Sequence, residues 1–184
     1  MDQELFTKST PVAIALSLTL VGTLAWRVKP AGFRSLSWQA MTVASALFWG
    51  MLAAILVSAT WGFYYRFFVP AWYRLAAPLG AIVLYPFIGL FLKWAALRLP
   101  GNPVVWFALL GGLESVLEHA AGIYGFGVLD VPMLRGTSAL AIFIFAYFEY
   151  VVYWSIVLAL AAGVDRLRRV RRSDPERSHE DSRS

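Results

Sequence analysis

Five long apolar segments alternate with short polar segments along the chain. They cover about residues 11–26, 39–60, 75–99, 103–126 and 138–164. A helix needs roughly 20 mostly apolar residues to cross a membrane, and each segment is near that length. We therefore expect an all-α polytopic membrane protein in which residues 1–164 form a five-transmembrane-helix bundle. The polar residues 165–184 are expected to form a disordered, basic cytoplasmic tail.

The composition supports a membrane protein and excludes an ordinary soluble domain. Hydrophobic residues make up 59% of the 184 positions and charged residues 15%. Soluble domains average about 45–50% apolar and about 25% charged residues. Cysteine is absent, which removes disulfides and thiolate metal sites. The net charge of +5 arises from basic residues at the ends of the apolar segments and in the tail, so no nucleic acid partner is expected.

The distribution of lysine and arginine predicts how the chain is oriented. Cytoplasmic loops of membrane proteins carry an excess of these residues. Twelve of the 16 lie in the first loop, at the junction after the third segment and in the tail, and four lie on the other side. We therefore place the protein in a plasma (inner) membrane with its N-terminus outside and its C-terminus in the cytoplasm. The first segment is expected to be an uncleaved anchor, because no basic region precedes it.

Small residues mark one face of the second apolar segment. Ala46, Gly50, Ala54 and Ser58 recur at four-residue spacing. Small side chains let two membrane helices approach closely, so this stripe predicts a packing face. It lies either inside the bundle or against a second copy of the chain or another membrane protein. Membrane lipids are the other expected partners, and the arginine-rich stretch that begins at Arg166 is either a topology anchor or a site for anionic lipids.

Four ionisable side chains interrupt the fourth and fifth apolar segments, namely Glu114, Glu118, His119 and Glu149. A charged group in the hydrocarbon region costs several kcal/mol, so such residues need partners or a function. A helix turns by about 100° per residue, which places Glu114 and Glu118 on one face of the fourth segment. Neighbouring residues are expected to supply hydrogen bonds, namely Ser115, Tyr150 and Tyr153.

The four ionisable groups are expected to lie at one depth near the middle of the membrane. Consecutive spanning helices run antiparallel, and if their outer ends are level, Glu149 is level with Ser115. Three ionised glutamates do not share a site of low dielectric with a single histidine. A proton or a cation is therefore expected in the cluster.

Three functions remain open for this cluster. In the first, Glu114, Glu118 and Glu149 handle protons or a cation in a proton- or cation-coupled transporter. In the second, the carboxyls act as acid and base in a membrane-embedded enzyme whose substrate is a lipid or an isoprenoid. A metal-dependent version has iron or manganese bound by Glu114, Glu118, His119 and Glu149, because hard cations favour carboxylates. In the third, these groups fix helix pairing in a structural or assembly subunit. The sequence requires no cofactor.

The predicted orientation can be tested with single cysteines, because the chain has none of its own. In the variant Ser138→Cys, the introduced thiol lies at the outer end of the fifth segment and should react with a membrane-impermeant maleimide in intact cells. In Ala31→Cys, the thiol lies in the first loop and should react only after the membrane is permeabilised. The reverse labelling pattern would contradict the orientation.

Overall fold

The computed structural model describes residues 2–59, 66–67 and 72–173. Six α-helices follow one another in this part of the chain, namely α1 (Asp2–Arg27), α2 (Pro30–Ser35), α3 (Trp38–Ser58), α4 (Trp72–Ala96), α5 (Pro103–His119) and α6 (Ala139–Ser173). A π-helical turn (Ala120–Gly125) extends α5, and a 3-10 turn (Pro132–Leu134) precedes α6. Two short strands, β1 (Arg66–Phe67) and β2 (Leu129–Asp130), pair antiparallel.

The predicted all-α bundle with five spans is confirmed. Five of the described helices are long and apolar enough to cross a membrane, over Lys8–Arg27, Trp38–Ser58, Ala76–Ala96, Pro103–Gly125 and Ala139–Val170. The starts of α3 and α5 are capped as their sequences favour. The Ser37 hydroxyl accepts a hydrogen bond from the Ala40 amide, and the Asn102 side chain accepts one from the Val104 amide.

The end of the chain differs in part from the expectation of a disordered tail. Helix α6 runs to Ser173, so residues 165–173 are helical. Arginine is a good helix former, and Arg169 pairs with Asp165 one turn earlier at 2.7 Å, which supports this extension of the helix. Residues 174–184 lie outside the described residues, and the expectation for them stays a prediction.

Helices α5 and α6 pack very closely at two glycines of α5. A Cβ atom at Gly111 would overlap the indole of Trp154, and one at Gly112 would lie 2.8 Å from Val151. The absence of a side chain at these positions therefore lets the two helices meet and lets Trp154 enter the core, where it is fully buried. Contacts between Gly111 and Trp154 and between Gly112 and Val151 agree, to within one residue, with the register that sets Glu149 level with Ser115.

The small-residue stripe of α3 lies partly inside the bundle. A Cβ at Gly50 would be 2.5 Å from Cγ1 of Ile82, so this glycine lets α3 and α4 approach each other. Ala46 is half-buried, whereas Ala54 and Ser58 are exposed. Contact with a second copy through the exposed part of the stripe stays a prediction.

The close approach of α5 and α6 predicts a stability difference between two glycine substitutions. Gly111→Ala should lower the free energy of unfolding by about 1–3 kcal/mol, because the new methyl group displaces the Trp154 ring from a filled core. Gly163→Ala in α6 is the matched control, since nothing lies within 4 Å of its Cβ position. This control should keep or raise the stability, because alanine favours helix. Thermal unfolding in detergent, followed by circular dichroism, measures both effects, and equal stability of the two variants would contradict the packing.

Candidate functional site

The carboxyl group of Glu118 is held from two neighbouring helices. Tyr85 of α4 donates its hydroxyl hydrogen to this carboxyl, with its oxygen 3.0 Å from both Oε1 and Oε2. Tyr150 of α6 donates to Oε2 at 3.1 Å. The two tyrosines therefore satisfy both oxygens of the Glu118 carboxyl in an apolar setting.

Glu114 lies one helical turn before Glu118 and faces the core of the bundle. The indole Nε1 of Trp154 donates to its Oε2 at 3.3 Å. The carboxyls of Glu114 and Glu118 also interact with each other. Two acids are therefore adjacent on α5, but Glu114 is bound to a buried indole while Glu118 is bound to two tyrosines.

Glu149 and His119 have local partners. Tyr153 donates to Oε1 of Glu149 at 2.6 Å, one turn along the same helix. Nδ1 of His119 lies 3.0 Å from the Ser115 carbonyl oxygen and 3.3 Å from its hydroxyl oxygen. A carbonyl oxygen only accepts, so Nδ1 carries hydrogen and Nε2 is left as the acceptor of a neutral ring. Ser115 is thus a hydrogen-bond partner of His119, and no bond from it to a glutamate is found among the described residues.

A cavity of about 280 Å³ joins three of these ionisable groups. It lies between α3, α4, α5 and α6, and the turn after β2 adds Val131 and Leu134 to its wall. Its polar wall consists of Tyr85, Glu118, His119, Glu149, Tyr150 and Tyr153. The rest of the described wall is apolar apart from the indole of Trp49, and it contains neither lysine nor arginine. Glu114 does not line the cavity.

Aromatic rings form a continuous group beside Glu118. Trp49 of α3 stacks on Tyr85 with ring centroids 3.9 Å apart and planes 8° apart. The same indole lies 5.0 Å from the ring of Tyr150 and 5.7 Å from that of Tyr153. Trp49 is only 3% exposed, and its Nε1 has no hydrogen-bond partner among the described residues. The cavity therefore offers π faces, carboxyls and one unsatisfied donor.

The two residues that sequence reasoning missed are Trp49 and Tyr85. Each occurs in an apolar segment that contains no ionisable group near it, so the periodicity of that segment gave no sign of a polar site. One signal was present, because a tyrosine hydroxyl inside a spanning segment usually needs a hydrogen-bond partner.

The cavity is closed towards the other end of the bundle. Beyond Trp154 on α6, the inward-facing residues Val157, Leu158 and Ala161 are buried, and Phe107 of α5 is buried against the Trp154 ring at 5.7 Å. In the described residues, this layer of mostly apolar side chains, which also includes the buried hydroxyls of Ser45 and Ser155, separates the carboxyls from the polar groups at the end of α6. The cavity therefore lies in the half of the bundle that includes the loop between α5 and α6.

Two ion pairs to one aspartate connect the chain segments on the loop side of the cavity. Asp130 of β2 accepts a hydrogen bond from Arg66 of β1 at 2.8 Å and another from Arg135. The hydrogen bond and the negative charge of Asp130 raise the pKa of the Arg135 guanidinium. The π-helical turn comes directly after His119 and leads into this loop. Such turns are rare and frequent at functional sites.

The metal alternative has no support in the described residues. No three of the His, Asp and Glu side chains in this part of the chain form a group that could hold a metal ion. The reason is that the four proposed ligands are hydrogen-bonded to different groups. Glu114 accepts from an indole, and Glu118 and Glu149 accept from tyrosine hydroxyls. Nδ1 of His119 is bonded within its own helix. Binding of iron or manganese stays a prediction that the arrangement of the described residues does not support.

Comparison with known proteins finds no relative of this chain. The chain matches no family model, and no curated protein and no solved structure is significantly similar to it. The class that the fold defines is that of a multi-pass α-helical membrane protein.

The hydrogen bonds of Glu118 predict the effect of removing a hydroxyl group. Tyr85→Phe should lower the free energy of unfolding by about 1–3 kcal/mol, the usual cost of removing one hydrogen-bond partner from a buried polar group. Tyr124→Phe is the control, because Tyr124 is 54% exposed and its hydroxyl has no described partner. Its effect should stay within about 0.5 kcal/mol. Thermal unfolding in detergent compares them, and equal losses would argue against the bond to Glu118.

Proposed function

We propose that the cavity binds a small apolar molecule that carries a positive charge, and that it releases a proton in exchange. The observation that carries this proposal is the Glu118 carboxyl in an aromatic cavity whose described wall has no lysine or arginine. This is the cation-handling step of a proton-coupled transporter. The distribution of lysine and arginine further supports an inner membrane with the N-terminus outside, so that the cavity belongs to the outer half.

Charge balance favours a cationic occupant. A buried carboxylate without a counter-charge is costly, and hydrogen bonds from tyrosine offset only part of that cost. The described part of the cavity wall holds no lysine or arginine, so the proposal assigns the neutralisation of Glu118 to a proton or to a cationic ligand. These two states exclude each other, and binding of one displaces the other.

The aromatic wall favours an organic cation over a bare metal ion. The faces of tryptophan and tyrosine attract cations by about 0.5–2 kcal/mol each when the cation is desolvated. Trp49 and Tyr85 stack beside Glu118, and Tyr150 and Tyr153 extend the same group. The unsatisfied Nε1 of Trp49 would favour a ligand that also carries an acceptor oxygen.

Two further groups would relay the displaced proton out of the cavity. Nε2 of His119 is the acceptor atom of a neutral ring and has no described partner, while the ring is 7% exposed. Glu149, bound to Tyr153, lies on the same cavity wall. A proton that leaves Glu118 therefore has acceptors on the loop side of the bundle.

A second candidate function is acid–base isomerisation of an isoprenoid lipid, which the closed apolar layer below the cavity favours. A transporter has to open that layer, whereas an enzyme does not. A protonated carboxyl would give its proton to a C=C bond, and the carbocation would lie against the Trp49 and Tyr85 faces. Loss of a proton from a neighbouring carbon to His119 would complete an isomerisation without change of mass.

A third role, in assembly of a membrane complex, would involve the exposed end of the α3 stripe and would need no ligand in the cavity. It is the function that remains if neither a cation nor a lipid isomer depends on Glu118. No described contact favours it over the other two.

The cation proposal is tested with benzyltrimethylammonium and its neutral isostere neopentylbenzene. Titration of the purified protein in detergent should show saturable binding of the cation, with a change in tryptophan fluorescence and a release of protons. While the acid is protonated, affinity should rise by about tenfold per pH unit for each proton released. Glu118→Gln should weaken cation binding by about tenfold to a hundredfold, or about 1.4–2.7 kcal/mol, because it removes the counter-charge.

The neutral isostere is the control for the shape of the cavity. Glu118→Gln should bind neopentylbenzene as well as the unaltered protein does. Glu114→Gln should weaken cation binding much less, since Glu114 does not line the cavity. Equal affinity for both probes in the unaltered protein would refute the proposal, and equal losses in the two variants would refute the assignment to Glu118.

The enzyme alternative is tested on the lipids of cells that express the protein. Extracts from cells with the unaltered chain and with Glu118→Gln are compared by chromatography and mass spectrometry. An isoprenoid lipid of unchanged mass but altered retention, present only with the unaltered chain, would support isomerisation. Its absence, together with reversible cation binding, would favour the transporter.

A further inference from the structure

A second cleft lies at the opposite end of the bundle from the cavity. Its volume is about 240 Å³, and its wall consists of Ser35, Ser37, Gln39, Asp165, Arg168 and Arg169. The cleft forms because the junction of α2 and α3 packs on the last turns of α6. Asp165 accepts a hydrogen bond from the backbone amide of Ser37 at 3.3 Å, which joins the two parts of the wall.

The two arginines of this cleft differ in charge compensation. Arg169 donates twice to Oδ2 of Asp165, at 2.9 and 2.7 Å, and also to the Ser35 hydroxyl at 3.3 Å. Arg168 donates to the neutral side chain of Gln39 at 2.9 Å and contacts no carboxylate among the described residues. Two arginines and one aspartate therefore leave one net positive charge, which belongs to Arg168.

Exposed apolar side chains at the same level as the cleft place it near the lipid headgroups. On the same turns of α6, Leu167 is 67% exposed and Val170 is 53% exposed. Trp38, at the start of α3, is also exposed, as is typical of residues at a membrane interface. Water alone would make these exposed groups unfavourable, whereas acyl chains next to a headgroup would cover them.

We propose that this cleft binds the phosphate of an anionic phospholipid. The guanidinium of Arg168 would donate to two phosphate oxygens, which is a favoured geometry for arginine and phosphate. The Ser35 hydroxyl on the same wall donates to the Gly32 carbonyl oxygen at 3.0 Å, so Arg168 is the donor that the proposal assigns to the phosphate. Inorganic phosphate offers the same oxygens, but the cleft lies at the end of the membrane-spanning helix α6 and beside the exposed Trp38, so a lipid headgroup is the occupant that this position favours.

The test measures the thermal unfolding midpoint (Tm) of the detergent-purified full chain with three additives. These are short-chain phosphatidylglycerol, phosphatidylcholine with the same acyl chains, and inorganic phosphate. Phosphatidylglycerol should raise the Tm in a saturable manner, whereas the other two should leave it nearly unchanged. A shift of the same size with inorganic phosphate would overturn the lipid as the occupant.

Two arginine variants assign the lipid effect to the cleft. Arg168→Gln should lose most of the shift caused by phosphatidylglycerol, measured against the variant's own Tm without lipid. Arg166→Gln is the matched control, because Arg166 is exposed, lies outside the cleft wall and carries the same charge. It should keep the shift. An undiminished shift in Arg168→Gln, or an equal loss in Arg166→Gln, would overturn the site.

Discussion

A carboxylate inside an apolar bundle must be met by hydrogen-bond donors, and Glu118 is met by two that come from different helices. Tyr85 belongs to α4 and Tyr150 to α6, so the position of one carboxyl joins three helices. The same requirement explains the aromatic surroundings, because a tyrosine supplies a donor at the end of a large apolar ring. The cavity lies where these rings meet α3, and its acidic character follows from Glu118 and Glu149 on its wall.

The close contact of α5 and α6 determines which part of the bundle interior is polar and which part is apolar. Without a side chain at Gly111, the indole of Trp154 fits between the helices and donates to Glu114. Beyond it, buried Val157 and Leu158 separate the acids from the polar end of α6. The molecule is therefore asymmetric, with an acidic aromatic cavity in one half and a basic cleft at the opposite end. Acids and arginines at separate depths would act on different ligands, a cation in the membrane interior and a phosphate at its surface.

The α-helical spans and the candidate acids were predictable from the sequence because both depend on local pattern. The apolar segments revealed the five spans, and the helical repeat placed Glu114 and Glu118 on one face. An antiparallel connection of known length also set Glu149 level with Ser115, in agreement with the contact of Gly112 with Val151. The helical extension of α6 to Ser173 was missed, because the basic composition of residues 165–173 was read as a tail without regard to the Asp165–Arg169 pair.

The sequence by itself determined that the chain is a five-span helical membrane protein with acids in its fourth and fifth spans, since hydrophobicity and helical repeat act within one segment. Only the tertiary structure decided which groups complete the site. Trp49 and Tyr85 reach Glu118 from α3 and α4, and Trp154 reaches Glu114 through the gap at Gly111. Such contacts depend on which helix faces which and at what register. That choice results from the packing of all the helices together, and no single segment encodes it.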